Sequence, residues 1–215
     1  MKNEGRYDVS GLKEAQFEPD SGDKVLRNLQ GVTDPEKMNI IEANALAEAT
    51  DTMLRKFDQK HQFTADDICY LHKIWLGKIY QWAGQYRSVN ISKGDFTFAM
   101  AAQVSKLMAQ FEQEQLKRYT PCLFKKNEAV VKAIAEVHTE LVLIHPFREG
   151  NGRVSRLLAT LMALQAGLPL LDFSVMNEQK DKYFAAVQTG MGHNYKPMEM
   201  MFSEIIENSI SALDG

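Results

Sequence analysis

The chain has 215 residues, the size of one large domain or of one domain with a small arm. Its 25 Lys and Arg against 28 Asp and Glu leave a formal charge of −3, which argues against a general nucleic-acid or anionic-membrane binder and confines basic chemistry to local patches. Hydrophobic residues make up 45% of the chain, ample for a core, yet the longest apolar stretch, Leu157 to Leu171, is too short to span a bilayer and includes Thr160 and Gln165. The amino terminus lacks an apolar signal core. Cys69 and Cys122 have no metal-ligand spacing, so a reducing cytoplasm is expected.

Residues 1–23 are polar, punctuated by Gly5, Gly11, Pro19 and Gly22, and read as an arm laid over the domain or partly disordered, with no chemistry assigned. The main domain is expected over 24–215. Thr33-Asp-Pro-Glu36 opens a helix capped by Thr33, with Pro35 in its first turn. It runs to about Phe57 as scaffold, turning Met38, Ile41, Leu46, Met53, Leu54 and Phe57 towards a core. Thr64-Ala-Asp-Asp67 opens another helix, with Ile68, Leu71, Ile74, Trp75 and Ile79 as its apolar stripe and His72 among them as a structural histidine. Short alternation about Gly94-Asp95 predicts a β-hairpin between Val89 and Phe98, which must lean on helices because a two-stranded ribbon is marginal alone. Residues 101–118 form an amphipathic helix through Val104, Leu107, Met108 and Phe111, followed by a linker over 119–125. The expected fold is all-α with one small hairpin.

Chemistry concentrates at residues 145–156. Val130, Val131, Ile134, Val137, Leu141 and Val142 have the spacing of a buried helix face. That helix should end at His145, because Pro146 disfavours helical geometry in the residue before it. Glu149-Gly-Asn-Gly152 then lets backbone amides turn towards one point. A new helix follows, carrying Arg153 and Arg156 on one face of its first turn, where the partial positive charge of a helix start disfavours each cation by about 0.3–1 kcal/mol. The arginines make sense if an anion sits there, held by the amides and both guanidinium groups; phosphate is the natural candidate. Beside phosphates, the lone carboxylate of Glu149 is suited to Mg²⁺, and His145 to a base near neutral pH.

His145-Pro-Phe147-Arg-Glu149-Gly-Asn-Gly-Arg153-Val-Ser-Arg156 resembles the full signature of the Fic family, His-x-Phe-x-(Asp/Glu)-Gly-Asn-Gly-Arg-x-x-Arg, at every specified position. Leu29-Gln-Gly-Val-Thr-Asp-Pro-Glu36 also resembles the family's approach to its first helix. The resemblance implies a Fic-type helical domain that transfers AMP from ATP to a Ser, Thr or Tyr hydroxyl of a target protein. It assigns His145 as base, Glu149 to Mg²⁺ bridging the α- and β-phosphates, Gly150, Asn151 and Gly152 to an anion hole, and Arg153 and Arg156 to the outer phosphates. The hairpin, about 86–99, would be the family's flap, with Asn90, Ile91, Ser92 and Lys93 lining the nucleotide and an extended target segment pairing along its edge. Gly152 stands where a phosphate-transferring branch has Lys, so AMP is favoured over bare phosphate. Other transferred groups, removal of AMP, and a nucleotide-binding toxin–antitoxin module without catalysis are the alternatives.

Beyond the signature, Gly167-Leu-Pro169 should end the arginine-bearing helix, and 177–191 should be a further helix. By resemblance, Tyr183 is a candidate adenine contact and Tyr195 a weaker one; a core aromatic is an equal reading of either. His138, two turns before His145, reads as structural. The last helix, about 197–213, has Met198, Met201, Phe202, Ile205, Ile206 and Leu213 on one side. Ser203-x-x-x-Glu207-Asn208 on another face fits the family's inhibitory pattern. On that reading Glu207 pairs with Arg156 in place of the γ-phosphate, and such a chain can self-modify or self-associate.

Overall fold

The computed structural model describes residues 12–212. The part of the expected arm over 1–11, and Leu213 of the last helix, lie outside the described residues. The described residues form helices α1 (Pro35–Lys56), α2 (Ala65–Leu76), α3 (Val104–Phe111), α4 (Lys117–Tyr119), α5 (Asn127–Ile144), α6 (Asn151–Gln165), α7 (Ser174–Glu178), α8 (Lys180–Thr189) and α9 (Lys196–Ser211), with a small, largely exposed antiparallel hairpin, β1 (Ser92–Lys93) and β2 (Phe96–Thr97), between α2 and α3 in the chain. The fold is all-α with a small hairpin, as the periodicities imply.

The long central helix is α5. It is buried at nearly every position from Val130 to Ile144, because its neighbours α6, α9, α3 and α8 lie on different sides of it. A helix apolar on one stripe needs one partner; one apolar nearly all round needs a bundle. Met38 and Met53 of α1, Leu71 and Trp75 of α2, and Phe202 and Ile205 of α9 continue the same core.

Several local expectations shift. The cap of α1 is Asp34, whose carboxylate accepts the Lys37 N–H at 2.7 Å, and not Thr33. With Pro35 as the first helical residue, the residue before it is the cap. Thr64 and Asp67 form the reciprocal capping box expected at α2, but Ile74 is exposed, off the buried face. The helix after the hairpin passes through a π turn at Glu112–Leu116 before α4. The helix expected over 177–191 is two, α7 and α8, broken at Gln179, and ends in a 3₁₀ turn at Gly190–Gly192. Of the arm, residues 13–15 make a 3₁₀ turn, and Phe17 bridges to Leu26. No helix among the described residues is long and apolar enough to cross a membrane.

Candidate active site at the α5–α6 corner

Helix α5 ends at Ile144, and His145 caps it in the left-handed region, φ 52° and ψ 60°, with its N–H on the Leu141 carbonyl. That conformation costs a non-glycine residue about 1–2 kcal/mol, so neighbouring contacts must hold it. They are numerous. Nδ1 of His145 lies 3.2 Å from the Val142 carbonyl, which can only accept, so Nδ1 carries the proton and Nε2 keeps a lone pair. The ring stacks on Phe98 of the hairpin at 3.7 Å. Burial lowers the His145 pKa to about 4, with the Arg87 and Lys93 cations acting in the same direction and the Val142 bond opposing them. At neutral pH His145 is a neutral imidazole with a free acceptor nitrogen.

The turn that follows is built from inside. Phe147 is fully buried and stacks on His72 at 3.9 Å. Asn151 closes the loop on itself: its Oδ1 accepts the Phe147 N–H and its Nδ2 donates to the Phe147 carbonyl, both at 2.8 Å. Its side chain is therefore committed to the loop, and only its backbone amide is left for an anion. Gly150 has φ 81°, and a Cβ there would lie 2.6 Å from the Trp75 ring, so both conformation and space demand glycine. The N–H groups of Asn151 and Gly152 have no acceptor among the described residues, and no side chain caps α6. Orphan amides at a helix start form an anion cradle.

The arginines differ. Arg153 donates to Glu42 of α1 at 2.7 Å, lies over the Trp75 ring at 4.5 Å, and reaches Glu149 at 3.8 Å. Arg156 is half-buried, burial lowers its pKa, and it has no acidic partner among the described residues. A desolvated, unpaired guanidinium is costly unless something anionic completes it. Glu149 is exposed; one oxygen accepts the Gly150 N–H at 3.0 Å. No group of three or more His, Cys, Asp or Glu among the described residues is placed to hold a metal, so a metal at Glu149 would need oxygens from substrate and water.

On the hairpin, Ser92 pairs with Thr97 and Lys93 with Phe96. Asn90 uses its Oδ1 on the Ala101 N–H, and Ile91 accepts the Phe98 N–H, so both are tied to the hairpin's own frame. Lys93 lies 4.1 Å over the ring of Phe184 on α8, bringing the flap against that helix. Tyr183 points inward, 8% exposed, with its hydroxyl 3.1 Å from His138 Nε2. This is the core-aromatic reading; the neighbouring Phe184 is the residue that meets the flap. Tyr195 donates to Glu140 at 2.6 Å.

Glu207 is the residue expected to pair with Arg156. It is exposed on α9, opposite Met198, Phe202, Ile205 and Ser209, and makes no ion pair with Arg156. The buried face of α9 is spent on the core, which turns Glu207 and its neighbour Asn208 outward.

Sequence reading missed the contacts that three residues make to the site. Glu42, 4% exposed, accepts from Arg153 and from Tyr80 Oη, while its backbone carbonyl takes Trp75 Nε1. One acidic residue among the apolar positions of a helix was the available signal. His72 is core, as expected, but its Nδ1 accepts the Gly84 N–H at 2.8 Å, so its Nε2–H donates to the Glu149 carbonyl at 3.1 Å and fixes that residue's backbone. Arg87, 2% exposed, binds backbone on both sides of the flap. A cavity of about 350 Å³ lined by Leu12, Glu14, Trp82 and Ser88 contains none of the signature residues.

A histidine at a helix end, a self-closed glycine loop and an arginine with no acidic partner among the described residues come together at the α5–α6 corner. The sequence of residues 62–163 matches the model of the Fic/DOC family. The chain is 30% identical over 143 residues to the probable protein adenylyltransferase Fic of Escherichia coli, covering 65% of this chain and 68% of that protein. It is 31% identical over 157 residues to protein adenylyltransferase VbhT of Bartonella schoenbuchensis, covering 73% of this chain and 32% of that protein. The chain belongs to the Fic/DOC family. It spans about a third of VbhT's length. A Fic domain of Bartonella quintana with bound ADP superposes with a TM-score of 0.69 at 25% identity, covering 90% of this chain and 95% of that one. BepC of Bartonella tribocorum, solved with AMPPNP, shares the fold with a TM-score of 0.70 at 24% identity over 90% of this chain and 97% of that one.

Proposed function

We propose that the chain transfers AMP from ATP to a protein hydroxyl and releases pyrophosphate. The observation that carries this is a corner in which the orphan amides of Asn151 and Gly152 open the helix that bears Arg156, half-buried and without an acidic partner among the described residues, just after a neutral His145. The triphosphate lies on the Asn151 and Gly152 amides with Arg156 on its outer oxygens. Nε2 of His145 accepts the proton of the target hydroxyl as its oxygen attacks the α-phosphorus. The bond from the α-phosphorus to the bridging oxygen breaks, and pyrophosphate leaves with that oxygen. Because little covalent chemistry falls to the protein, alignment and charge stabilisation supply most of the acceleration.

Glu149 is the group that would hold Mg²⁺ with phosphate oxygens, and the ion supplies charge neutralisation there. An extended segment of the target adds along the hairpin edge, where Ser92 and Thr97 are exposed; Lys93 contacts the nucleotide, and a copy of this chain can serve as target. The free cysteines Cys69 and Cys122 suit the reducing cytosol in which ATP is abundant. Incubation of a lysate with ATP labelled at the α- or at the γ-phosphate tests the assignment. Label in protein from the α position alone is expected; label from the γ position alone would replace AMP with phosphate as the transferred group.

A further inference from the structure

Among the described residues, Arg87 is a buried cation whose side chain bonds only to backbone carbonyls. Its Nε donates to the carbonyl of His145 at 2.6 Å. One terminal nitrogen donates to Val89 at 2.7 Å, and the other to Ala99 and, at 3.3 Å, to Ile144. Its own backbone N–H donates to Pro146 at 2.9 Å. Val89 and Ala99 are the two roots of the hairpin; Ile144, His145 and Pro146 are the end of α5. No carboxylate is within ion-pair distance of Arg87 among the described residues; the nearby acid, Glu14, accepts instead from the Ser88 N–H and hydroxyl.

We propose that Arg87 is a positioning residue that locks the flap to the orientation of His145, so that a target strand added to the hairpin arrives already in register with the base. The hairpin has only two residues per strand and cannot hold a fixed position by its own ladder. One planar guanidinium instead pins both its roots to the helix that ends in His145. Pinning Ala99 also pins Phe98, the preceding residue, whose ring covers the imidazole. The cation faces the last carbonyls of α5, where positive charge is favoured and otherwise orphan acceptors are satisfied. Lysine could not substitute. Its three donors radiate from one nitrogen, whereas four carbonyls on two segments require a fork. The charges facing His145 are those of Arg87 and of Lys93 on β1.

The catalytic consequence rests on His145 acting as the base; the structural one does not. Arg87→Lys and Arg87→Met, with His145→Ala as the spectral reference, separate them. For Arg87→Lys the expected result is a fall in kcat of about 100-fold, the scale of an ångström-level misplacement. ATP affinity, which depends mainly on the α6 cradle and only in part on Lys93 of the flap, should fall far less, by no more than a few-fold. In ¹³C-histidine NMR of Arg87→Met, the resonance absent from His145→Ala should move, and its titration midpoint should rise on loss of the cation. If Arg87→Met does not fold, Arg87→Lys decides through the split of kcat from ATP affinity. An unmoved His145 resonance, full activity of Arg87→Lys, or equal losses of kcat and ATP affinity would each overturn the proposal. Absence of AMP transfer by the native chain would instead remove the proposed function and leave the NMR comparison to decide the role of Arg87.

Discussion

The α5–α6 corner and helix α9 each carry a short pattern with a functional look, and the protein embeds them differently. At the corner nearly every signature residue is held by something distant in sequence: Gly150 by Trp75, the Glu149 backbone by His72, Arg153 by Glu42, and His145 by Phe98 and Arg87. On α9 the matched residues Ser203 and Glu207 share a helix whose core-facing side is occupied by Met198, Phe202 and Ile205, and the exposed Glu207 carboxylate has no ion pair or hydrogen bond among the described residues. A pattern becomes a site when tertiary contacts fix its geometry, and spacing on a helix face does not supply those contacts. That contrast can be pressed from its strongest side to its weakest.

The largest effect belongs to His145. His145→Ala removes the only group at the corner with a free acceptor nitrogen, and transfer should fall by about 100- to 10,000-fold, as expected for loss of a general base. Because His145 is half-buried at the end of α5, outside the apolar core, the variant should fold and still bind ATP. Retention of more than a tenth of the native rate would place the base elsewhere.

Next comes the inequality of the arginines. Arg153 is already compensated by Glu42, while Arg156 is not. Arg156→Met should weaken ATP binding by about ten-fold or more, the scale of a charge-assisted bond to phosphate. Arg153→Met should cost mainly stability, about 3–5 kcal/mol, because it strands Glu42 as a buried carboxylate still bonded to Tyr80. Calorimetric titration with ATP and denaturant unfolding of both variants measure the two axes; reversed effects would show Arg153 to be the phosphate anchor.

A smaller and more diffuse effect is the response to acid. Burial lowers the pKa values of His72 to about 4, of His138 to about 3 and of His145 to about 4, from an ordinary 6.5. For a group whose folded pKa is depressed, the unfolded chain binds the proton first as pH falls. Stability is thus intact above about pH 6.5 and drains towards pH 4, by an amount on the order of several kcal/mol. Thermal melts between pH 7 and 4.5 should show Tm falling steadily over this window, and a flat profile would mean that these rings are solvated.

How far the sequence reached follows the same division. Helix positions, the hairpin and the His145–Arg156 corner were legible because periodicity, proline, glycine and capping residues act locally: Pro146 ends α5 and Thr64 with Asp67 starts α2 whatever packs on them. Partners were not legible. Nothing near Glu42 in sequence points to Arg153, which lies 111 residues away, and nothing near Arg87 points to the end of α5, 58 residues on. Tyr183 and Phe184 are adjacent, and which of them meets the flap depends on the rotation of α8 against α5.

The smallest effect is the one that isolates the contrast. Glu207 lies on the outer face of α9 and forms no ion pair with Arg156, so Glu207→Gly removes no contact seen with the phosphate site. Its cost should be that of a glycine within a helix, about 1 kcal/mol, read as a modest fall in Tm, with the rate of AMP transfer within about two-fold of native. A rise of ten-fold or more would show instead that Glu207 restrains the phosphate site, the role its Ser203-x-x-x-Glu207-Asn208 pattern suggests.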